Sequence, residues 1–250
     1  MEEISSTYRA VRIDDTAEWR LIIQITKVGM SAYLKSEEDP MEPLITLFHE
    51  EWEADDKELL KRIEDTVYDH PQLLDDFSTE IVVNTSKALW VPKEAVQPAD
   101  SGAEYPDRDE TDLYNMVYPA AEEDIFIDEV NGMFCLYTLV PGLHPFIRRT
   151  LPGARTWCQQ SLAVRKFADQ LSDMPRLYVD IREDEADYYA FDGRRLLFAA
   201  THPFGSVSGI EERVENFMRL WNLSPANTKV MLSGNKEIRN RLMISLREKM

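Results

Sequence analysis

The last third of the chain has the clearest alternation of apolar and polar residues. Three of its segments have the two-residue period of β-strands, and the Asp192-Gly193 pair between two of them is typical of a tight turn. Apolar residues then recur at helical spacing as far as Trp221, and Ser208 with Glu211 has the spacing of a capping box. The predicted elements are strands at 176–182, 186–191 and 195–201, a helix from 208 to about 221, a strand at 229–232 and a helix at 236–248. Their order is β-β-β-α-β-α.

The first third of the chain repeats the beginning of this pattern. The heptad Arg-Leu-Ile-Ile-Gln-Ile-Thr at 20–26 matches Arg-Leu-Tyr-Val-Asp-Ile-Arg at 176–182 position by position. A second strand, a third strand, a helix and further strands are predicted after it. These elements are a strand pair at 20–34, a strand at 44–47, a helix at 55–68, and a short hairpin formed by 80–84 and 87–91. The sequence therefore predicts two related halves, at 1–125 and 126–250, with chance similarity between two strand heptads as the alternative.

An acidic stretch follows the N-terminal elements. Residues 94–129 contain twelve acidic residues and one basic residue, Arg108. We interpret its first part, at about 94–123, as a solvated excursion of the N-terminal half rather than an acidic docking site. Beyond it, an Asn131-Gly132 turn predicts a hairpin. The hairpin strands are predicted at 124–130 and 133–139, and helices at 143–150 and 159–171.

The composition narrows the function classes. Because 44% of the residues are hydrophobic, the composition indicates a globular protein. The formal net charge is −18, and the electrostatic field of such a protein repels nucleic acid and anionic membranes. We interpret a basic cluster at 229–249 as the favourable basic end of a helix rather than a nucleic-acid contact. The sequence has no signal-peptide pattern, no apolar run of transmembrane length and only two cysteines, Cys135 and Cys158. We therefore expect a cytoplasmic protein with no nucleic-acid partner and no transmembrane segment.

A family resemblance is carried by residues 176–181, by Asp192-Gly-Arg-Arg-Leu-Leu-Phe-Ala, by Gly205, and by Val230-Met-Leu-Ser-Gly-Asn. On these residues the chain resembles a bacterial family of unknown function with an actin-like ATPase fold. It is more loosely similar to the actin-like assembly proteins of type IV pili and type II secretion. The resemblance implies an α/β, ribonuclease H-like architecture of two βββαβα-type halves with mixed sheets. The resemblance further implies that active members of the superfamily bind ATP and Mg²⁺ in the cleft between the halves. Two Asp-x-Gly hairpins and a Gly-Gly turn would hold them there.

The chain departs from that nucleotide-binding pattern in both hairpins. In the first, the aspartate position is Gln24 and the glycine position is Thr26; in the second, Asp180 is retained but the glycine position is Arg182. Glycine lets backbone N–H groups approach a phosphate closely, so its loss weakens the site. Residues 183–187 also carry four carboxylates, which would repel a triphosphate. The candidate residues of this vestigial nucleotide cleft are Gln24, Asp180, Gly234 and Asn235. For Asp180 we favour the alternative of a strand-end aspartate that caps or hydrogen-bonds locally.

These departures predict a non-catalytic actin-like protein that acts as a protein-interaction or assembly factor. Its expected partner is another protein. Trp52, Trp90 and Tyr105 are candidate aromatic anchors for it, with packing in the core as the alternative. We expect no catalytic residue, no metal site and no cofactor. The alternative is a divergent ATPase or kinase that binds Mg-ATP through Asp180 and the turn at 234–235. A ribonuclease H-like nuclease is disfavoured because the sequence places no second carboxylate beside Asp180.

The remaining reactive side chains form no recognisable site in the sequence. The four histidines are scattered without the spacing of metal ligands. Cys135 and Cys158 are expected to be buried, inert thiols. Because Cys158 precedes a predicted helix, a lowered thiol pKa is the alternative for that residue.

Overall fold

The structure is a computed structural model that describes residues 16–39, 41–53, 58–96, 109–118, 124–170, 172–182 and 184–249. The strands are β1 (Trp19–Thr26), β2 (Gly29–Ser36), β3 (Ile45–Glu51), β4 (Ser78–Val83), β5 (Ala88–Pro92), β6 (Ile125–Val130), β7 (Met133–Thr138), β8 (Arg155–Cys158), β9 (Arg176–Ile181), β10 (Glu185–Asp192), β11 (Arg195–Pro203) and β12 (Lys229–Gly234). The helices are α1 (Leu59–Asp69), α2 (Glu110–Val117), α3 (Leu143–Thr150), α4 (Gln159–Ala168), α5 (Val207–Leu220) and α6 (Lys236–Lys249). Within these ranges, no helix has the length and apolar character needed to cross a membrane.

The chain divides into two compact units that are each discontinuous in sequence. The first unit comprises residues 1–84 and 139–157, and the second comprises residues 85–138 and 158–250. These units follow spatial contacts, and the linear boundary between residues 125 and 126 remains a prediction. Several sequence-based expectations lie outside the described residues: most of the acidic excursion, Tyr105, the first residues of the helix predicted at 55–68, Leu171 and Glu183.

The first unit is built on one mixed sheet with the order β3-β2-β1-β4-β8. Strand β1 is antiparallel to β2 and parallel to β4. Leu21, Ile23 and Ile25 of β1 are buried while the residues between them are half-buried, as the two-residue period of a strand dictates. The helix α1 likewise buries one face, with Ile63 and Val67 in the core.

The second unit contains a four-stranded sheet, β11-β10-β9-β12, and a three-stranded sheet, β5-β7-β6. Strand β9 is covered on both faces. Leu177, Val179 and Ile181 belong to a core that includes residues of α5 and α6. Tyr178 belongs to a second core, with Val164 of α4. Because successive strand residues point to opposite faces, one short strand supplies both cores.

Each half begins with a hairpin, and the two hairpins have the same register. Gln24 pairs with Ser31 across β1 and β2, and Asp180 pairs with Asp187 across β9 and β10. Both residues of the second pair lie 156 positions after their counterparts in the first. The first hairpin closes through a two-residue turn, since Thr26 pairs with Gly29, and in the second the Arg182 N–H donates to the Glu185 carbonyl at 2.9 Å. The repeated heptad therefore occupies equivalent strands, as the sequence predicts.

The equivalence extends to the neighbouring parallel strands. The Asn84 N–H donates to the Ile25 carbonyl at 2.9 Å just beyond β4, and the Asn235 N–H donates to the Ile181 carbonyl at 2.7 Å just beyond β12. The shared strand order 3-2-1-4 within each half, with an antiparallel hairpin beside a parallel pair, confirms two related halves with mixed sheets.

Three local predictions are wrong. The described part of the acidic excursion, residues 109–118, is not a solvated loop, because it contains α2 with Tyr114 fully buried. Residues 80–84 and 87–91 do not pair with each other, because β4 pairs in parallel with β1 and β5 pairs with β7. Ser208 lies inside α5, and the N-cap is Ser206, whose hydroxyl accepts the Gly209 N–H. The hairpin predicted from Asn131-Gly132 is confirmed, with both turn residues at positive φ.

Candidate functional site

The predicted residue Asp180 lies one position before the end of β9, beside the end of β12. It is the parallel register partner of Ser233, whose hydroxyl donates to Asp180 Oδ1 at 2.6 Å. On the other side, its antiparallel partner is Asp187 of β10. The topology therefore places two carboxylates and a hydroxyl in one row across three strands.

Asp187 is buried, with only 2% of its surface exposed, and it is held by a cation and a hydroxyl. Arg182 Nη2 lies 3.1 Å from Asp187 Oδ1 and 3.1 Å from Glu185 Oε2. The hydroxyl of Thr201 on β11 donates to the same Asp187 oxygen. Burial raises the pKa of Asp187, and the positive charge of Arg182 opposes that rise.

This arrangement corrects the expectation that the carboxylates of 183–187 all face a bound phosphate. Asp187 points into the unit, and Arg182 is held against both Asp187 and Glu185. The residue at the lost glycine position is thus the counter-ion of the turn's own acids, which the heptad comparison in the sequence did not indicate.

A buried polar chain continues from Asp187 to the three-stranded sheet. Gln160 Nε2 on α4 donates to Thr201 Oγ1 at 2.8 Å, and Trp90 Nε1 on β5 donates to Gln160 Oε1 at 2.8 Å. Gln160 is fully buried. Sequence reasoning missed Gln160 because its helical position indicates only burial, and its polar partners are distant in sequence.

Gly234 and Asn235 have structural roles at the start of α6. Gly234 has φ +85°, and a Cβ there would lie 1.9 Å from the Ile181 carbonyl oxygen. Asn235 Oδ1 accepts the N–H groups of Glu237 and Ile238 at 3.1 and 3.2 Å, which caps the helix. The glycine at the turn expected to hold nucleotide is thus required by the close contact of its own strand with β9.

Gln24 belongs to the first unit, whereas Asp180, Gly234 and Asn235 belong to the second. Gln24 Nε2 donates to Asn84 Oδ1 at 3.4 Å. Thr26, at the other lost glycine position, donates to the Gly29 carbonyl at 3.0 Å and accepts the Val28 N–H at 3.2 Å. Gln24 is therefore bonded to the residue that follows β4, whereas Thr26 makes its hydrogen bonds within the β1–β2 turn.

The family model for proteins of unknown function called DUF3822 matches residues 9–248. The chain belongs to this family. No curated protein sequence matches it.

Solved structures give the fold of this DUF3822 member. It is similar to a Bacteroides thetaiotaomicron protein with an actin-like ATPase fold and unknown function, at 15% identity and a TM-score of 0.81, over 95% of this chain and 90% of that one. Weaker likenesses include the cytoplasmic domain of EpsL, an inner-membrane component of the type II secretion system of Vibrio cholerae, at 10% identity, TM-score 0.44 and coverage of 93% and 95%. An Aquifex aeolicus Ppx/GppA phosphatase has 12% identity and a TM-score of 0.36, over 92% of this chain and 62% of that one. The chain has the actin-like ATPase fold.

Within this DUF3822 chain, the described residues contain no group of three or more histidine, cysteine or acidic side chains able to hold a metal ion. Asp180 and Ser233 supply oxygen atoms at the edge of the second unit, the chemistry that Mg²⁺ prefers, but they are bonded to each other. The carboxyl end of this sheet therefore presents polar side chains that are engaged within the unit.

The alternative for Cys158 is wrong. Its thiol is buried in the second unit, and burial raises its pKa, as does the neighbouring Cys135 thiol. The backbone N–H of Cys158 donates to Asp128 Oδ2 at 2.9 Å. The helix start thus binds the carboxylate of β6, and burial gives the thiol a raised pKa rather than the lowered pKa of an activated cysteine.

Proposed function

We propose that this chain is a non-catalytic actin-like protein that acts by binding another protein, as an interaction or assembly factor in the cytoplasm. The observation that carries the proposal is the engagement of Arg182 with Asp187 and Glu185 at the lost glycine position. A nucleotide-binding turn needs accessible backbone N–H groups at that point. Here the turn carries a long side chain committed to its own carboxylates.

The energetics of this ion pair support the proposal. Arg182 is 20% exposed and Asp187 is 2% exposed as side chains. Turning the guanidinium towards a phosphate would leave Asp187 buried without its cation, at a cost on the order of 3 kcal/mol. A phosphate ligand would have to repay that cost before it gained any affinity.

The turn after β12 supports the same conclusion. The Asn235 side chain already accepts the first free N–H groups of α6, which are the groups an anion would use. An adenosine or phosphate group would therefore compete with an existing helix cap, which contributes about 1 kcal/mol.

Calorimetry and thermal shift with Mg-ATP and Mg-ADP test the proposal. We expect no heat of binding and no rise in Tm at millimolar nucleotide, for the wild type and for Asp180→Ala alike. Nucleotide bound at micromolar concentration would raise the unfolding free energy by about 4 kcal/mol at a thousandfold excess over Kd. Such binding, lost in Asp180→Ala, would reject the proposal in favour of a divergent ATPase or kinase.

A second experiment addresses the partner directly. The tagged full chain is crosslinked in its native cell, and recovered proteins are identified by mass spectrometry and then tested as purified binary pairs. We expect at least one protein that binds the purified chain without nucleotide. Failure of every purified candidate to bind would contradict an interaction role.

A further inference from the structure

Helix α6 is fixed to the second unit by one face. Leu242 and Leu246 are buried in the core that includes β9 and α5, and Ile238 packs against it. Ser245 Oγ donates to Glu211 Oε1 of α5 at 2.8 Å. These contacts determine which side of α6 points outwards.

The outward face of α6 combines basic and large apolar side chains. Lys236, Asn240, Met243 and Arg247 recur at intervals of four, three and four residues, and Ile244 adjoins them. All five are exposed, including 62% of Ile244 and 38% of Met243. Exposed apolar side chains flanked by charge on one helix face are typical of an interaction surface.

The charge of α6 is opposite to that of the chain. Its sequence, KEIRNRLMISLREK, has five basic and two acidic residues, whereas the whole chain has a formal net charge of −18. Arg241 is paired with Glu237 at 3.1 Å, so its charge is already matched within the helix. On the outward face, Lys236 precedes and Arg247 follows the apolar pair formed by Met243 and Ile244 along the helix.

We propose that the outward face of α6 is the docking surface for an acidic amphipathic helical segment of a partner protein. Carboxylates of that segment would meet Lys236 and Arg247, and its apolar side chains would cover Met243 and Ile244. The fourteen-residue helix is about 21 Å long, which suits a segment of similar length. This inference rests on the proposed function, because it names the chemistry of the partner.

Charge complementarity favours a narrow protein segment over an anionic membrane. A segment contacts α6 alone, and the acidic remainder of the chain is screened beyond about 8 Å at physiological ionic strength. A lipid surface is flat and extended, so it would bring more of this strongly acidic protein against anionic headgroups. A membrane is therefore an outcome that would contradict the proposal.

Fluorescence anisotropy with a designed peptide tests the docking surface on the full chain. The probe is a fluorescein-labelled peptide of about 14 residues, with leucines at helical spacing and glutamates elsewhere. We expect saturable binding that weakens about tenfold or more in Lys236→Glu/Arg247→Glu, and about tenfold in Ile244→Ser. Peptides with lysine replacing glutamate, or serine replacing leucine, should bind far more weakly.

Matched substitutions on α5 provide the controls. Arg219→Glu and Leu220→Ser change an exposed cation and a leucine that is 72% exposed, and we expect them to leave peptide affinity within about twofold. Circular dichroism confirms that each variant is folded. For the wild type alone, affinity should fall as salt is raised from about 50 to 500 mM, which tests the charge contribution without any substitution.

Several outcomes would overturn the docking surface. These are equal peptide binding by all variants, no peptide binding, preferential binding to phosphatidylglycerol vesicles, or self-association without peptide that Ile244→Ser abolishes. If peptide binding fails while purified partners still bind, the proposed function stands and only this surface is rejected. Micromolar nucleotide binding would reject the proposed function and leave the peptide result unchanged.

Discussion

Asp180 and Ser233 face each other across the parallel strands β9 and β12, joined by a 2.6 Å hydrogen bond between their side chains. We expect Asp180→Ala and Ser233→Ala each to lower the free energy of unfolding by about 1 kcal/mol, because both remove one hydrogen bond at the sheet edge. The double variant should cost little more than either single one. Urea unfolding of the four proteins gives the coupling energy, and strict additivity would show that the bond contributes nothing.

The Arg182–Asp187 pair is expected to be the strongest electrostatic contribution in this hairpin. Arg182→Ala should lower the free energy of unfolding by about 3 kcal/mol, because it leaves Asp187 buried without a cation. Adding Asp187→Asn should restore part of the loss, since a neutral amide has no charge to desolvate. Arg195→Ala is the control, because that arginine is 74% exposed and should cost less than about 0.5 kcal/mol. Equal costs for the two arginine variants would contradict the burial argument.

Titration of Asp187 should make the free energy of unfolding depend on pH. Because burial raises its pKa above the ordinary value of 3.8, the folded chain holds a proton that the unfolded chain has released. The stability that the bound proton contributes is complete below pH 3.8, the ordinary pKa. It is lost as the pH rises through the raised pKa of Asp187 in the folded chain. The unfolding free energy of the wild type minus that of Asp187→Asn should therefore fall from about pH 4 upwards and then level off.

Urea unfolding across this range measures the difference, with Asp192→Asn as a control on an exposed carboxylate of the same strand. A difference that increases with pH would mean that the charged form of Asp187 is the favoured one in the folded chain.

Gly234 should be far more sensitive to substitution than a glycine that also has positive φ but has no atoms near its Cβ position. Gly234→Ala would place a methyl group 1.9 Å from the Ile181 carbonyl oxygen, so we expect a loss of about 3 kcal/mol or more in unfolding free energy. Gly193 also has positive φ, but a Cβ there would meet nothing within 4 Å, so Gly193→Ala should cost only about 1 kcal/mol. Thermal and urea unfolding distinguish the two, and similar losses would show that the backbone conformation alone decides.

The fully buried side chain of Gln160 should be important for stability. Gln160→Met keeps much of the side-chain volume but leaves the Trp90 indole N–H and the Thr201 hydroxyl without this partner. We expect this to lower the free energy of unfolding by about 2 kcal/mol. Trp90→Phe in the same background should recover part of the loss, because it removes the stranded donor. If Gln160→Met is as stable as the wild type, the Trp90 N–H and the Thr201 hydroxyl must find other hydrogen-bond partners.

Local patterns in the sequence predicted most of the fold. The repeated heptad at 20–26 and 176–182 becomes β1 and β9 with the same register, because alternation and burial constrain strands strongly. The Asn131-Gly132 turn likewise predicted the β6–β7 hairpin. The partner of β5 was missed, since the choice between adjacent and distant strands depends on tertiary packing rather than on local preference.

The chemistry of the candidate site was less predictable than its position. Arg182 appeared in the sequence only as a lost glycine, whereas the structure places its guanidinium between Asp187 and Glu185. Gly234 matched a nucleotide motif, yet the nearby backbone of Ile181 already requires a glycine there. Roles that arise from contacts between distant residues are invisible to a motif comparison, and the nucleotide cleft itself remains a prediction.

The discontinuity of the two units has a practical consequence for dissecting the gene. The chain passes from one unit to the other after residues 84, 138 and 157, so any single truncation point leaves at least one unit incomplete. The first unit could be expressed alone only by excising residues 85–138 and splicing Asn84 to Leu139 through a short linker, with a stop after Trp157. A library of simple end deletions would instead sever strands from their sheets, and loss of binding in such deletions would report misfolding rather than the location of the partner's docking surface.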